Sequence, residues 1–595
     1  MHIPPYDKMS RVTSVKDPAG NVTTFTYDAL NRLTKKDIET TSGGRSISGY
    51  VYDKVGNLLN VSNADGMVSF AYDALNRPVK TEQTFGGRSY AIAYTYDAVG
   101  NRTSMTTPWG KYDYTYDALN RQTSIVNPQG ITVAFTYDAV GRRTSKRVFK
   151  SAPELLAETA YAYDAAGELR SITNKAGGRV VSFDNYKYDA LGNRVEKQDQ
   201  DGTTKYAYDA SNRLITAVPV PMDMGKAEAF VYDRNGNRRF DKGAWDYKYD
   251  AANRLLENST YTYTHDANGN LTGRANKFDR TAITYAYNPE QKLSEVATPE
   301  HKVQYKYDPL GRRIEKTVDG ETTRYVYDNE DIVAVLDASN HQTETYTNGP
   351  DIDEPLIMSK PDKTNYFYHA DALGSIMAIT DDSGQTIETY KYKAYGQPTI
   401  NDAQGQPINT SAVGNTRMFT AREYDSEVGL YNYRARYYDW RRGAFIQEDP
   451  IGFFSGGLNL YAYVENKPTN LTDSLGLSPA DVEKIKIIFN STVEQMNKDC
   501  KRTRISVLNN LISIIQTIAS GRLGKPYLIC ADQTQEVLDA LRKAKDNGQF
   551  EDDWTFNEVY QKFPMHYYGL AISKNPNDSV VKLDPFWNSI KEIKK

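Results

Sequence analysis

The sequence predicts a mainly β protein of stacked hairpins that ends in a small α+β domain. Three observations support this fold class. Tyrosine, which favours strands, occurs 46 times, while only 39% of the residues are hydrophobic. A tyrosine–aspartate pattern recurs along the first half of the chain, and the composition changes abruptly after Leu477. At 595 residues, the chain is also too long for a single core.

The repeated pattern occupies residues 1–330 and returns at a spacing of roughly 16–26 residues. Its centre is an aromatic–x–Tyr-Asp block followed by Gly or Asn and then Arg, as in FTYDALNRL and YTYDAVGNR. The alternation places both rings on one face of a strand, and Asp with Gly or Asn supplies a turn. Each unit is therefore predicted to be a β-hairpin that needs its neighbours for stability. We assign these Tyr and Asp residues a structural role without chemistry.

The composition argues against several functions. A net charge of -4 provides no basic excess, so neither nucleic acid nor a membrane surface is expected as a partner. Two cysteines, Cys500 and Cys530, cannot form a disulfide framework. No apolar stretch is long enough for a transmembrane helix, and no secretory signal or phosphate-binding loop is visible. We expect no cofactor and no metal. Because the chain starts inside a repeat, we also expect the shell to be partial.

The repeats resemble the YD repeats of RHS proteins, of the C subunits of insecticidal toxin complexes and of teneurins. This resemblance covers about residues 10–477 and implies a β-sheet that spirals into a hollow shell. From residue 366 a dense motif block follows, with RARYYDWRRGAFIQEDPIGF and NLYAYVENKPTNLTDSLGL, which resembles the RHS-associated core. We therefore divide the chain into a YD-repeat shell, a core with a junction and a C-terminal domain: residues 1–365, 366–477 and 478–595.

In the family that it resembles, this core cleaves its own chain after the final D-x-x-G-L motif. The resemblance assigns Asp449 and Asp473 as an aspartyl-protease-like pair, Arg436 as its helper, and Leu477–Ser478 as the scissile bond. The chemistry requires two carboxylates that share a proton, so that one activates water and the other acts as an acid. A nearby arginine keeps the charged member charged.

Two departures from the family motif could slow this cleavage. Ser474 follows Asp473 where the family has proline, and the stretch between Asp449 and Asn459 looks one residue longer than usual. From spacing alone, both aspartates could also merely cap turns, as Asp before x-x-Gly often does. The resemblance favours the catalytic interpretation.

The C-terminal residues 478–595 lose the repeat pattern. Apolar residues at helical spacing predict two helices over residues 481–520, and a third helix follows CADQ. HYYGLAISKNPNDSVVKLDPF predicts two strands joined by a turn. Cys530 would then lie at a helix N-terminus, where its thiolate is favoured, while His566 opens one strand and Asp584 ends the next.

A thiolate, an imidazole and a carboxylate in this order can form a nucleophilic triad. The motifs CADQ, HYYGLAI and LDPF resemble the papain-like clan and the papain-fold toxin modules found at RHS C-termini. Alternatives remain for individual residues. Cys530 could be a small buried hydrophobe, and Cys500 is taken as incidental. The oxyanion donor stays open between Gln516, Gln533 and the backbone N–H of Cys530.

Together these features predict an RHS-family toxin whose shell encloses a C-terminal effector and releases it by cleavage after Leu477. The effector would be a papain-like cysteine hydrolase, deamidase or transamidase that acts on protein in a target cell. A cognate immunity protein and a secretion apparatus component or adaptor are the expected partners. The chain would reside in the bacterial cytoplasm before export without a signal peptide. The alternatives are a non-enzymatic YD-repeat surface or adhesion protein, and a displaced partial copy with another toxin, such as a nuclease.

Overall fold

The computed structural model describes residues 5–150, 153–241, 246–452 and 458–477, together with the backbone of four strands between residues 554 and 593. Antiparallel β-structure dominates these residues, as the composition and the repeats predicted. With few exceptions each strand pairs with the strands before and after it in the chain, which is the connectivity of hairpins stacked in sequence.

The first long sheet contains 21 strands, β1 to β21. Their bounds are Ser14–Lys16, Val22–Tyr27, Leu33–Glu39, Arg45–Tyr52, Leu58–Ser62, Met67–Tyr72, Pro78–Phe85, Arg88–Tyr96, Arg102–Thr107, Gly110–Tyr116, Gln122–Val126, Thr132–Tyr137, Arg143–Phe149, Leu155–Tyr163, Leu169–Ala176, Arg179–Tyr188, Arg194–Asp199, Gly202–Tyr208, Leu214–Val220, Glu228–Tyr232 and Arg238–Asp241. Buried and exposed residues alternate along strands such as β8, as expected of a sheet with one face in the core.

The second long sheet contains 17 strands, β22 to β38. Their bounds are Lys248–Tyr249, Leu255–Glu257, Tyr261–His265, Leu271–Asn276, Ala282–Tyr287, Leu293–Ala297, Lys302–Tyr307, Arg313–Val318, Glu321–Asp328, Asp331–Leu336, Gln342–Asn348, Pro355–Ser359, Asn365–Ala370, Ile376–Thr380, Thr386–Tyr392, Pro398–Asn401 and Pro407–Ile408. This sheet continues without a break across the change of motif at residue 366.

A third sheet has four short strands, β39 to β42, with bounds Glu423–Asp425, Leu430–Tyr433, Arg436–Asp439 and Ala444–Phe445. Two short 3₁₀ segments, Phe419–Ala421 and Val464–Asn466, lie beside it in the chain. Most of its aromatic residues are fully buried, and Tyr431, Tyr433, Tyr438 and Phe445 belong to one large apolar cluster with side chains from both long sheets. The third sheet therefore lies in the core, where water is excluded.

In most of the YD motifs the tyrosine binds the repeat before it. The Tyr27 hydroxyl donates to the carbonyl of Val12 at 3.0 Å, and the Tyr116 hydroxyl donates to Arg102 at 3.0 Å. The same bond recurs at Tyr72, Tyr96, Tyr137, Tyr163, Tyr188, Tyr208, Tyr232, Tyr249 and Tyr307. The recurrence of this tyrosine is thus explained by a hydrogen bond between neighbouring hairpins.

The aspartate and arginine of the motif form the turn and bind the repeat after it. Asp28 accepts from the backbone N–H of Arg32 at 3.0 Å and from its Nε at 2.7 Å. Arg32 also donates to the carbonyl of Asp53 at 2.6 Å, and its guanidinium lies 4.9 Å from the ring centre of Tyr52. Asn31, between them, has a φ of +63°, the left-handed conformation that the turn prediction required. These contacts give the motif a structural role.

The two long sheets run alongside each other, which is the path of a spiral. The backbone N–H of Ala19 donates to Asn268, 249 residues further along the chain, and the hydroxyls of Tyr232 and Tyr395 meet across 163 residues. Residues 268–395 of the second sheet therefore run along residues 19–232 of the first, so the second sheet covers the same path with fewer residues. The circuit becomes tighter towards the C-terminal end of the described shell.

The described part of residues 478–595 is a separate four-stranded antiparallel sheet, β43 to β46, with bounds Trp554–Tyr560, Tyr567–Ser573, Val580–Asp584 and Ser589–Ile593. The middle two strands are those predicted from the sequence, and the outer two were not predicted. The three predicted helices of this region lie outside the described residues.

Candidate active site at the junction

A buried hairpin carries the centre of the site. Strands β40 and β41 are joined by a two-residue turn, and Arg436 begins β41 with 2% of its surface exposed. Its guanidinium stacks on the ring of Phe445, with 3.7 Å between Cζ and the ring centre. This packing against the aromatic core holds a planar, permanently charged group in one orientation.

Two carboxylates meet at one nitrogen of this arginine. Nη2 of Arg436 lies 3.1 Å from Oδ2 of Asp449 and 3.3 Å from Oδ2 of Asp473. Asp449 is held by its own backbone N–H, which donates to Leu460 at 3.0 Å, and its Oδ1 accepts from the N–H of Ile451 at 3.0 Å. All three charged side chains are buried, so salt screens their interactions little.

The electrostatic environment of Asp449 allows this carboxyl group to hold a proton near neutral pH. Burial raises the pKa of Asp449 to about 7, and the negative charge of Asp473 acts in the same direction. The positive charge of Arg436 opposes both effects and keeps the pKa from rising further. A group with this pKa is present as acid and as base in comparable amounts at pH 7.

The chain that precedes the predicted scissile bond is bound directly to the site. Asp473 accepts a hydrogen bond from the N–H of Leu477 at 2.9 Å, and Nε of Arg436 donates to the carbonyl of Gly476 at 2.6 Å. Gly476 has a φ of +68°, and a Cβ there would lie 2.2 Å from the Tyr433 carbonyl oxygen. Only glycine fits this approach, and Leu477 itself is buried.

The structure thus brings together Asp449, Asp473, Arg436 and Leu477, which sequence reasoning had assigned to the junction by resemblance. Their catalytic roles stay predictions. Ser478, Cys530 and His566 lie outside the described residues. Asp584 is the last residue of β45, as predicted, but its side chain is not described.

Sequence reasoning missed Arg434. The guanidinium of this residue donates to the carbonyl of Ser474 and to the carboxylate of Asp353, at 2.8 and 2.7 Å in the latter case. The available signal was the second arginine of RARYYD, which lies two residues before Arg436 and was assigned no role. Its partner Asp353 lies outside every motif described above, so no signal in the sequence pointed to it.

None of the helices in the described residues has the length and apolar character needed to cross a membrane. No group of three or more His, Cys, Asp or Glu side chains in this part of the chain could hold a metal ion.

Comparison with family models identifies the shell. The teneurin YD-shell model matches residues 5–155 and 197–469, and the RHS repeat model matches residues 163–203. The first match alone spans well over half of the chain and ends just before Asp473 and Leu477.

Curated relatives match parts of the chain. The tRNA nuclease WapA of Bacillus subtilis strain 168 is 32% identical over 52% of this chain and 11% of its own length. The double-stranded DNA deaminase toxin A of Burkholderia cenocepacia is 28% identical over 53% of this chain and 24% of its own length. The probable deoxyribonuclease RhsA of Dickeya dadantii is 24% identical over 67% of this chain and 28% of its own length. The chain therefore spans between a tenth and about a quarter of these relatives.

Solved structures show the same fold. The crystal structure of TcdB2-TccC3 superposes with a TM-score of 0.59 at 18% identity, over 80% of this chain and 28% of that chain. The structure of the Photorhabdus luminescens Tc holotoxin pore with a TccC3 mutation gives a TM-score of 0.58 at 18% identity, over 80% of this chain and 27% of that chain. Taken with the family models and the hairpin architecture, these matches show that the chain belongs to the teneurin YD-shell family and is an RHS/YD-repeat shell protein related to the RHS toxins.

Proposed function

We propose that this chain is the shell and junction of an RHS-type toxin, which cleaves itself after Leu477 and releases residues 478–595 as an effector. One observation carries the proposal: Asp449 and Asp473 contact the same nitrogen of Arg436, and Asp473 also binds the backbone of Leu477. Two carboxylates around a buried arginine, placed directly against a peptide segment, have the composition of an acid–base pair for hydrolysis.

In the proposed reaction, Asp473 takes a proton from a water molecule as the water oxygen attacks the carbonyl carbon of Leu477. Protonated Asp449 supplies a hydrogen bond to the carbonyl oxygen and then a proton to the departing nitrogen of Ser478. The bond between Leu477 and Ser478 breaks, leaving a carboxyl group on one product and an amino group on the other. One water is consumed and no cofactor is needed.

The proposed effector is a papain-like cysteine hydrolase, deamidase or transamidase. Its support is the order of Cys530, His566 and Asp584 in the sequence, which suits a nucleophilic triad. The described sheet is compatible with it. Strand β44 begins directly after His566, and β45 ends at Asp584. Because Gly569 pairs with Leu583, the beginning of β44 and the end of β45 lie at the same end of the sheet.

A nuclease is the second candidate for the effector. The observation that favours it is the name of several relatives, which include tRNA nucleases and probable deoxyribonucleases. Proposed partners are the same for either effector: a cognate immunity protein in the producing cell, a secretion component or adaptor, and a macromolecular substrate in the target cell. A surface or adhesion protein would require neither cleavage nor an immunity partner.

Intact mass measurement tests the proposed cleavage. The full chain and an Asp449→Asn/Asp473→Asn double variant are purified and their denatured masses are compared. The wild type should yield a piece of about 13 kDa that begins at Ser478, from its share of the 67.1 kDa chain, and the variant should not. Asp381→Asn, in an exposed turn of the second sheet, is the matched control and should cleave normally. An uncleaved wild type would contradict the proposal.

A further inference from the structure

Three consecutive residues of the β40–β41 hairpin hold three consecutive carbonyls of the junction. The Arg434 side chain donates to Ser474, the backbone N–H of Ala435 donates to Leu475 at 3.2 Å, and Nε of Arg436 donates to Gly476 at 2.6 Å. The segment before the scissile bond therefore lies on the hairpin in a single register, one residue against one residue.

The first of these contacts is anchored in the second long sheet, β22 to β38, which we call the wall. Nη1 and Nη2 of Arg434 bind the two carboxylate oxygens of Asp353 at 2.8 and 2.7 Å, and Nη2 donates to the carbonyl of Glu330 at 3.1 Å. Asp353 and Glu330 lie in connections of the second sheet, between β30 and β33. Arg434 thus bridges the wall and the chain that is to be cut, and its side chain is only 12% exposed.

The backbone of Arg434 is also held in an unusual conformation. Its φ is +57°, in the left-handed region that costs a non-glycine residue free energy. Asn432 supports this turn, since its side-chain oxygen accepts from the N–H of Arg434 at 3.0 Å. A bidentate ion pair to a buried carboxylate offsets such a cost and fixes the direction of the guanidinium.

We propose that Arg434 is a positioning residue for self-cleavage, which fixes Ser474 against the wall at Asp353 and so sets the register of the scissile bond. This inference rests on the proposed function. Arg434 reaches neither carboxylate of the proposed pair, so its effect is transmitted through the three-carbonyl register. Cleavage would then require that residues 330–353 are already folded, so this part of the wall would form before the effector is released.

The physical basis is the steep dependence of such reactions on geometry. A displacement of about 1 Å at the reacting atoms can lower a rate by about a hundredfold. Without Arg434, the segment keeps the hydrogen bonds of Ala435 and Arg436 but loses its anchor at Ser474. We therefore expect cleavage to be at least about tenfold slower, as for the loss of a charge-assisted hydrogen bond, while the shell remains folded.

The test follows cleavage of the full chain during a pulse-chase after cell-free synthesis. Arg434→Gly removes the guanidinium and suits the positive φ, so it should not strain the turn. Arg280→Gly is the matched control, because Arg280 is an exposed arginine with a φ of +65° in another hairpin connection. Each variant is measured with and without guanidinium ion below its denaturing concentration, and each melting temperature is recorded.

The expected result is slow cleavage of Arg434→Gly, a shell that still unfolds in a cooperative transition, and a rate that guanidinium restores towards that of wild type. Cleavage within about twofold of wild type would overturn the positioning role, since a tenfold effect is the least that the lost bond predicts. Slow cleavage that guanidinium does not restore would overturn it also, because the residue would then be merely structural. A wild type that does not cleave would instead remove the proposed function itself.

Discussion

The carboxylate of Asp473 accepts a hydrogen bond from the backbone N–H of Leu477, at 2.9 Å. A candidate catalytic group and the residue before the scissile bond are therefore joined within one turn of chain. The remaining parts of the site, Arg436 and Asp449, come from the third sheet and the segment after it. Cleavage geometry thus combines a local turn with a tertiary contact.

The rate of cleavage should fall as pH rises through about 7. The pKa of Asp449 is raised to about 7, so the acid form that the proposed mechanism needs predominates below that pH. At pH 9 about 1% would remain protonated, and the rate should be about a hundredfold below its plateau. Chasing the newly made chain in buffers from pH 5 to pH 9 measures this profile. A rate that rises through pH 7 would assign Asp449 the role of base instead.

Arg436→Met should change both the height and the position of that profile. The arginine lowers the pKa of Asp449, so its removal should move the inflection to higher pH. The maximal rate should also fall, because the carbonyl of Gly476 loses its donor. The same pulse-chase measures both quantities. An unshifted inflection would show that Arg436 does not act on the titrating group.

Gly476→Ala should abolish detectable cleavage or slow it by more than about tenfold. The new methyl group would collide with the carbonyl of Tyr433, and the positive φ would add strain. Gly405→Ala is the control, since Gly405 has a φ of +77° but no atom within 4 Å of the added carbon. Comparison of the two variants by intact mass separates the collision from the strain. Equal cleavage in both would contradict the tight docking of the segment.

Tyr307→Phe should destabilise the shell more than Tyr96→Phe. Both hydroxyls donate to the preceding repeat, at 2.6 and 2.7 Å. Tyr307 is 2% exposed, so its loss leaves a buried carbonyl without a donor and costs about 1–3 kcal/mol. At the exposed bond of Tyr96 water can replace the hydroxyl, and a cost within about 0.5 kcal/mol is expected. Denaturant unfolding of both variants measures the difference.

Expression of residues 478–595 in a bacterium tests the effector chemistry. The wild-type segment should arrest growth, and Cys530→Ala should remove the toxicity because the proposed nucleophile is lost. Cys500→Ala is the matched control and should remain toxic. Equal toxicity of the wild type and Cys530→Ala would contradict a cysteine mechanism and favour the nuclease candidate.

The hairpins and their turns were predictable because each repeat contains the residues that form its own strands and turn. Asn31 and Gly100 occupy the position after Asp-x-x where the turn demands positive φ, and both adopt it. The junction residues were predictable only through the family motif, since Asp449 and Asp473 look like ordinary turn aspartates in isolation.

Contacts between distant segments could not be predicted. Gln83 binds the backbone of Tyr327, 244 residues away, and this pairing depends on the pitch of the spiral rather than on any local period. The contact of Arg434 with Asp353 has the same origin. The strand Ser589–Ile593 was missed because its sequence, SIKEI, is short and two of its five residues are charged.

The falling separation between facing residues, from 249 at Ala19 to 163 at Tyr232, has a consequence for how such a container ends. A shell whose facing strands are separated by fewer residues has a shorter circumference, so it tapers in that direction. The number of hairpins in each circuit then sets the width of the shell. A cut after Leu477 would break no strand pairing of either long sheet, so both sheets would stay intact while the chain beyond the cut is freed.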